Sequence, residues 1–281
     1  MILLDGKALS KKIREGIKRK VVELKQSGII PGLAVILIGD NPASQLYVNM
    51  KTKACEDVGI YSINHRMPAE ISEDELISVI KMLNDNPMVH GILVQLPLPK
   101  HIDEERVIES IDYKKDIDGF HPYNVGRLVR GYPLYYSCTP YGIMKLFEEY
   151  NIELEGKDAV IVGAGNITGK PMASMLLNAN ATVQMCHIYT KDLKDKTINA
   201  DIVISAVGKP NLITEDMVKE GSIVVDVGIS RVGDKVVGDV DFENVSKKSS
   251  YITPVPGGVG PMTIAMLLSN TIKAVEVNKG L

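Results

Sequence analysis

The chain has 281 residues, 45% hydrophobic and 24% charged, with a formal net charge of −3; it is long enough for one large or two modest cores, and its charge gives no general reason to bind nucleic acid or an anionic membrane. No stretch approaches about 18 uninterrupted apolar residues, and the opening MILLDGKALSKKIREG lacks the apolar core of a signal peptide. Three distant cysteines, Cys55, Cys138 and Cys186, and five scattered histidines fit no metal-ligand spacing, so no metal and a reduced, cytoplasmic setting are expected.

In chain order, ALSKKIREGIKRKVVELKQSG reads as a helix and LAVILIG as a buried strand. DNPASQLYVNMKTKACEDVGI (residues 40 to 60) is a helix capped by Asp40 or Asn41, with Pro42 in its first turn and Gly59 at its exit. At about 100° per residue, Ala43, Ala54, Tyr47, Val58, Cys55 and Val48 fill one arc, with Met50 at its edge. Lys51 falls in the middle of that arc. SEDELISVIKMLNDNP is a helix with a capping box, Ser72 to Glu75, and VHGILVQLPLP an apolar strand halted by prolines. Residues 118 to 140 are rich in Gly, Pro and Tyr and read as a loop. Then follow the helix GIMKLFEEYN, the strand DAVIVGAG, the helix GKPMASMLLNAN, and the strands ATVQMCHI, ADIVISAVG and GSIVVDVGI. This alternation predicts two α/β domains with parallel sheets, the second a Rossmann-type dinucleotide-binding domain, and a ligand cleft between them.

In DAVIVGAGNITGKPM a strand runs into Gly163 and Gly165, and a helix opens near Gly169. Such glycines let backbone approach a pyrophosphate, which the helix N-terminus attracts. The spacing, GxGxxxG, is one residue longer than the usual fingerprint, and a tight turn without a ligand would carry similar glycines. The next strand ends CHIYT, with neither the ribose-binding acid nor an Arg for a 2′-phosphate. Lys191 is the nearest base, and the type of dinucleotide stays open.

Gln95 ends a buried strand, where an amide can serve only to satisfy loop backbone. Asp116 and Asp118 fall in the loop between the two halves, where an Asp before Gly is usually a turn. TPVPGGVGPMT reads as a rigid turn or a backbone surface for a flat ligand. For Lys51 the bland reading is a side chain that snorkels outward. Its central place in the arc, with Tyr47 one turn earlier, argues instead for a desolvated lysine able to act near neutral pH.

Taken together, DNPASQLYVNMKTKACEDVGI, HGILVQLPLP, KDIDGFHPYNVGRL, GKDAVIVGAGNITGKPM and YITPVPGGVGPMTIAMLL, in that order, resemble the bifunctional methylenetetrahydrofolate dehydrogenase/methenyltetrahydrofolate cyclohydrolase family over nearly the whole chain. The resemblance implies a folate-binding catalytic domain at 1–118, onto which a C-terminal helix of about 262–281 packs back, and an NAD(P)-binding domain at 119–261. It implies that Lys51, Tyr47, Gln95 and Asp118 are catalytic. It adds Val94, Leu96 and the turn Pro256, Gly257, Gly258, Val259, Gly260 and Pro261 as folate contacts, and Gly163, Ala164, Gly165, Ile188 and Ile229 as cofactor contacts.

The implied reactions, part of one-carbon metabolism and purine biosynthesis, oxidise 5,10-methylenetetrahydrofolate with NADP and then open the methenyl product with water to 10-formyltetrahydrofolate. A neutral Lys51 would activate that water or relay its proton, whereas a charged one would repel the cationic intermediate. Gln95 would hold the amine, Tyr47 would stack on or hydrogen-bond the folate, and Asp118 would accept from the pterin edge. The family's partners are tetrahydrofolate one-carbon derivatives and a second copy of the chain, a homodimer. Two departures bear on the cofactor: the family commonly has Ser where this chain has Gly165, and polar or basic residues near Ile188 and Tyr189. They leave use of NAD open. The alternatives are a monofunctional or NAD-preferring member, another two-domain dehydrogenase, and a non-catalytic nucleotide-binding protein; the intact Tyr47, Lys51, Gln95 and Asp118 set counts against the last.

Overall fold

A computed structural model describes residues 1–233 and 235–279. Its elements run β1 (Ile2–Leu3), α1 (Gly6–Gln26), β2 (Gly32–Ile38), α2 (Pro42–Val58), β3 (Tyr61–Met67), α3 (Glu73–Asp85), β4 (Gly91–Val94), α4 (Glu104–Ser110), α5 (Pro122–Val129) and α6 (Cys138–Glu149). They continue through β5 (Asp158–Val162), α7 (Gly169–Asn178), β6 (Thr182–Cys186), α8 (Leu193–Thr197), β7 (Ile202–Ser205), β8 (Ile223–Asp226), β9 (Ser230–Val232), β10 (Lys235–Val237), α9 (Phe242–Val245), β11 (Tyr251–Ile252) and α10 (Val259–Lys279). The chain divides into two units. One holds Met1–Lys11, Arg127–Pro133 and Ser137–Thr263; the other holds Lys12–Gly126, Leu134–Tyr136 and the chain from Ile264 onward. Gly280 and Leu281, the end of the expected C-terminal helix, lie outside the described residues.

The unit holding Lys12–Gly126 is built on a parallel sheet in the order β3-β2-β4. Its central strand, GLAVILI, is buried at every position, as a strand covered on both faces requires. Ala34, Ile36 and Ile38 pack with Leu76, Ile80 and Leu83 of α3 and with Ile92 and Val94 of β4. Helix α3 begins in the expected capping box, Ser72 with Glu75. Strand β3 is the edge, and its polar Asn64, His65 and Arg66 hide it from a search for apolar runs; its exposure alternates instead. In this unit α10 is tied to the body through Asn270, whose amide donates to Ile117 O (2.8 Å) and Tyr136 O (2.9 Å).

The other unit carries a six-stranded parallel sheet in the order β1-β11-β8-β7-β5-β6. Strand β5 pairs with β6 on one side and β7 on the other, so the order reverses there. That is the topological switch point at which doubly wound sheets bind ligands. Val160, Val162, Val203, Val224 and Ile252 form the core under one face with Ile213, Val218 and Val245.

Residues 118 to 140 are not a plain loop. Pro122 starts α5, and α6 begins at Cys138, four residues before Gly142. The physical reason is an unusual cap: His121 Nδ1 accepts the first-turn N–H of Tyr123 (3.1 Å), and the Asp116 carboxylate holds the approach by accepting the N–H groups of Phe120 and His121; no Ser, Thr, Asp or Asn stands next to that helix start to signal it. Strand β4 stops at Val94, so Gln95 lies just past the strand.

Candidate active site

Helix α2 starts at the carboxyl end of β2. Gly39 makes the turn at φ +76°, and the Asn41 side chain accepts the N–H groups of Ala43 (3.0 Å) and Ser44 (3.1 Å). Gly59, at φ +85°, ends the helix in the left-handed conformation that glycine favours. Ser44, Val48, Ala54, Cys55 and Val58 are the buried residues. Ala43 is exposed, contrary to the expected arc, and so is Met50 at its edge. Lys51 is half-buried, in line with Val48 and Cys55 on the helix surface.

Lys51 Nζ donates to Gln95 Oε1 at 3.0 Å. Gln95 is itself fixed: its Nε2 donates to Leu96 O (2.8 Å) and its backbone N–H to Ile36 O (2.9 Å). The amide therefore satisfies loop backbone with one end and orients Lys51 with the other. Val94 is buried, and the Leu96–Pro97 peptide is cis. Tyr47, one turn before Lys51, is half-buried; burial pushes its phenol up, and its hydroxyl has no hydrogen-bond partner among the described residues. Burial pushes the Cys55 thiol up to about 12, so Cys55 is no nucleophile near neutral pH.

Asp118 is half-buried on a pinned segment. On its N-terminal side Asp116 is fully buried, accepting from Phe120 N (3.2 Å), His121 N (2.9 Å) and Asn124 Nδ2 (2.7 Å). Burial pushes the Asp116 carboxyl up while these bonds pull it down. Ile117 O is held by Asn270, as above. Asn124 and Asn270 escaped sequence reasoning, since an Asn inside a helix carries no signal of a long-range backbone clamp.

In the six-stranded unit β5 runs into the glycine turn. Gly163 sits at φ +118°, and a Cβ there would lie 2.4 Å from Ala206 O. A Cβ on Gly169 would lie 1.9 Å from Gly163 O, whereas one on Gly165 would meet nothing within 4 Å. Thr168, which precedes α7, makes no side-chain capping bond. Lys170 N, in the first turn, donates to Gly165 O (3.1 Å), and the positive end of this ten-residue helix faces the glycine turn, where it attracts an anion. This turn, close-packed only because two side chains are missing, fits a pyrophosphate. Beyond β6, Ile188 and Tyr189 are 91% and 85% exposed, two large apolar side chains held out in solvent. Ile229 is exposed just after β8. In the turn before α10, Gly257 has φ +111°, and the backbone of Gly258 backs on Thr253 and Pro254. Lys7 N donates to Gly257 O (2.9 Å) and Ser10 Oγ to Pro261 O (3.0 Å).

Tyr47, Lys51, Val94, Gln95, Leu96 and Asp118 therefore belong to one unit. Gly163, Ala164, Gly165, Ile188, Ile229 and the whole turn Pro256–Pro261 belong to the other. Lys51 and Gln95 are in direct hydrogen-bond contact, as are Gln95 and Leu96. Among the described residues no group of His, Cys, Asp and Glu is placed to hold a metal, and no helix is long and apolar enough to cross a membrane.

One titration in the six-stranded unit sets a pH dependence of stability. Burial pushes the Asp226 carboxyl up to about 6, opposed by hydrogen bonds from the Asp239 and Val240 N–H groups and reinforced by the Asp239 charge. The folded value lies above the unfolded one, so the folded state holds the proton harder. The stabilisation is fully present below about pH 4 and is lost as pH rises through about 6, a loss of about 3 kcal/mol. Denaturant unfolding from pH 4 to 7 should show a steeper decline in the wild type than in Asp226→Asn, in which Asp116, also raised by burial, still titrates; parallel curves would refute it.

Two family models match the chain: tetrahydrofolate dehydrogenase/cyclohydrolase, catalytic domain, over residues 4–118, and tetrahydrofolate dehydrogenase/cyclohydrolase, NAD(P)-binding domain, over 137–279. The bifunctional protein FolD of Sulfurovum sp. is 66% identical over 278 residues, covering 98% of this chain and 99% of that protein. The crystal structure of the bifunctional enzyme FolD, methylenetetrahydrofolate dehydrogenase/cyclohydrolase, from Campylobacter jejuni superposes with a TM-score of 0.97 at 60% identity and full coverage of both chains (100%). The Trypanosoma brucei methylenetetrahydrofolate dehydrogenase-cyclohydrolase, solved with NADP cofactor and an inhibitor, superposes with a TM-score of 0.95 at 38% identity, covering 98% of this chain and 97% of that one. With both family models matched in chain order and the glycine turn and the Lys51–Gln95 pair each at the carboxyl end of a parallel sheet, this chain belongs to the tetrahydrofolate dehydrogenase/cyclohydrolase family.

Proposed function

We propose that the chain oxidises 5,10-methylenetetrahydrofolate to 5,10-methenyltetrahydrofolate with NADP and hydrolyses the product to 10-formyltetrahydrofolate, as a cytoplasmic homodimer. The observation that carries this reading is the 3.0 Å bond from Lys51 Nζ to Gln95 Oε1 in a chain of this family. NADP, when bound, takes the hydride from the methylene bridge. The glycine turn Gly163–Gly165 and the start of α7 would hold its pyrophosphate, with Ile188 and Ile229 as flanking contacts.

In the hydrolytic step water adds to the methenyl carbon, one of its protons leaves, and the other passes to N5 as the bond from that carbon to N5 breaks and the formyl C=O forms. Lys51 carries the proton that leaves, and Gln95 keeps the amine aimed by accepting its other N–H. Tyr47 offers a ring face or its free hydroxyl to the folate. Asp118, an acceptor when ionised, takes the pterin N–H groups. Val94, Leu96 and the turn Pro256–Pro261 supply the remaining folate contacts.

The dimer is supported by the outer edge of β3, which no strand of this chain pairs among the described residues. The cytoplasmic setting is supported by three buried cysteines that remain free thiols. The test is reduction of nicotinamide followed by absorbance, with methylenetetrahydrofolate and NADP or NAD in parallel. Turnover with NADP above that with NAD is expected. Preference for NAD would mean that Ile188 and Tyr189 have changed the cofactor, and no turnover with either would sink the dehydrogenase reading.

A further inference from the structure

Two carboxylates at the carboxyl edge of the six-stranded sheet take no part in the chemistry above. Asp226 ends β8 and Asp239 follows β10; they are 4% and 0% exposed, and neither forms an ion pair among the described residues. Instead they collect hydrogen bonds from loops. Asp226 accepts from the backbone N–H groups of Gly228, Asp239 and Val240, each at 2.9 Å. Asp239 accepts from Val207 N (2.7 Å), Lys209 N (2.8 Å) and Ser205 Oγ (2.9 Å).

The cradles are built for these groups. A Cβ on Gly228 would lie 2.1 Å from Asp239 Oδ1, and one on Gly238 would lie 2.0 Å from Asp226 Oδ2. Each acid therefore fills the space left by the glycine beside the other. Both oxygens of each carboxyl group act as acceptors here, whereas an amide would turn an N–H against a backbone N–H.

The segments so joined lie next to the cofactor turn. Loop 206–209 begins with Ala206, whose carbonyl closes on Gly163. Segment 227–229 ends in the exposed Ile229. The Asp226 N–H also donates to Thr253 Oγ1 (2.7 Å), just ahead of the Pro256–Pro261 turn. In a doubly wound sheet the adenosine ribose follows the strand on one side of the switch point, here β6, and the rest of the ligand crosses to the other side. That other side is β7 and β8.

We propose that Asp226 and Asp239 are positioning residues that fix the nicotinamide-side wall of the NADP site by locking loops 205–209 and 227–229 to each other. The proposal rests on the placement of NADP at the glycine turn. Its test compares wild type, Asp239→Asn and Ser205→Ala in the dehydrogenase assay, and in hydrolysis of methenyltetrahydrofolate with no nucleotide present. For Asp239→Asn the expected result is a KM for NADP raised about tenfold or more, with the hydrolysis rate within about twofold of wild type.

Ser205→Ala removes one of the three bonds to Asp239 and should raise that KM about threefold; it carries the test if Asp239→Asn does not fold. An unchanged KM for NADP in the folded variants, or a loss of both activities in equal proportion, overturns the proposal, the latter because it marks a merely structural role. A wild-type chain with no NADP turnover overturns both this proposal and the functional reading. Normal wild-type turnover with unaltered variants overturns this proposal alone.

Discussion

Lys51→Met should lose cyclohydrolase turnover by roughly a thousandfold, within the range that a positioned acid–base group supplies. Folding stability should change little. Lys51 is half-buried and bonds one neutral amide, Gln95, and methionine keeps most of the aliphatic stem that packs along α2. Removing the lysine frees Gln95 Oε1, but that site is open enough for water to replace the ammonium. Lys51→Arg separates charge from proton exchange. Arginine can still donate to Gln95, yet it keeps its proton across the working pH range. The hydrolysis rate of Lys51→Arg should therefore stay low, because the side chain can no longer take up and release the proton. A pH–rate profile of Lys51→Arg that matches wild type would sink the assignment.

Much of the scaffold around Lys51 is legible in the chain itself. The seven apolar residues of β2, the Ser72–Glu75 capping box and the Gly59 exit are local signals, and each is found where the sequence puts it. Local signals stop at pairings. Lys51 and Gln95 lie 44 residues apart, and only the parallel register of β2 against β4, Ile36 opposite Val94, brings the end of one strand beside the helix that follows the other. Asp226 and Asp239 are harder still. Each reads as an acid at a strand end or turn, and a two-stranded hairpin separates them. Nothing along the chain says that the glycine beside each is vacated for the other. Helix α5 carries no ordinary start signal, because its capping acceptor is the ring nitrogen of His121 and the acid that holds its approach, Asp116, stands several residues upstream.

Gly163→Ala should cost the chain its NADP site, and Gly165→Ser should not. The two glycines look alike in VGAGN, but their surroundings differ. At Gly163 the backbone has φ +118°, where a side chain costs roughly 1–3 kcal/mol by conformation alone. The added methyl carbon would also lie 2.4 Å from the carbonyl oxygen of Ala206. That atom belongs to the main chain just beyond β7 and cannot swing aside, so the turn or the strand end must move. Overpacking of this kind adds typically 1–3 kcal/mol, and the movement falls on the backbone that meets the pyrophosphate. Gly163→Ala should thus lower the melting temperature and weaken NADP binding by at least tenfold. At Gly165 φ is ordinary and a Cβ meets nothing within 4 Å. Serine there adds a hydroxyl donor beside the start of α7, so NADP affinity should hold or rise with the melting point unchanged. Calorimetric titration of both variants with NADP, alongside thermal unfolding, separates the two. Equal losses at 163 and 165 would mean that the turn needs flexibility at both positions, and that the close approach of Gly163 to Ala206 is not what makes glycine necessary.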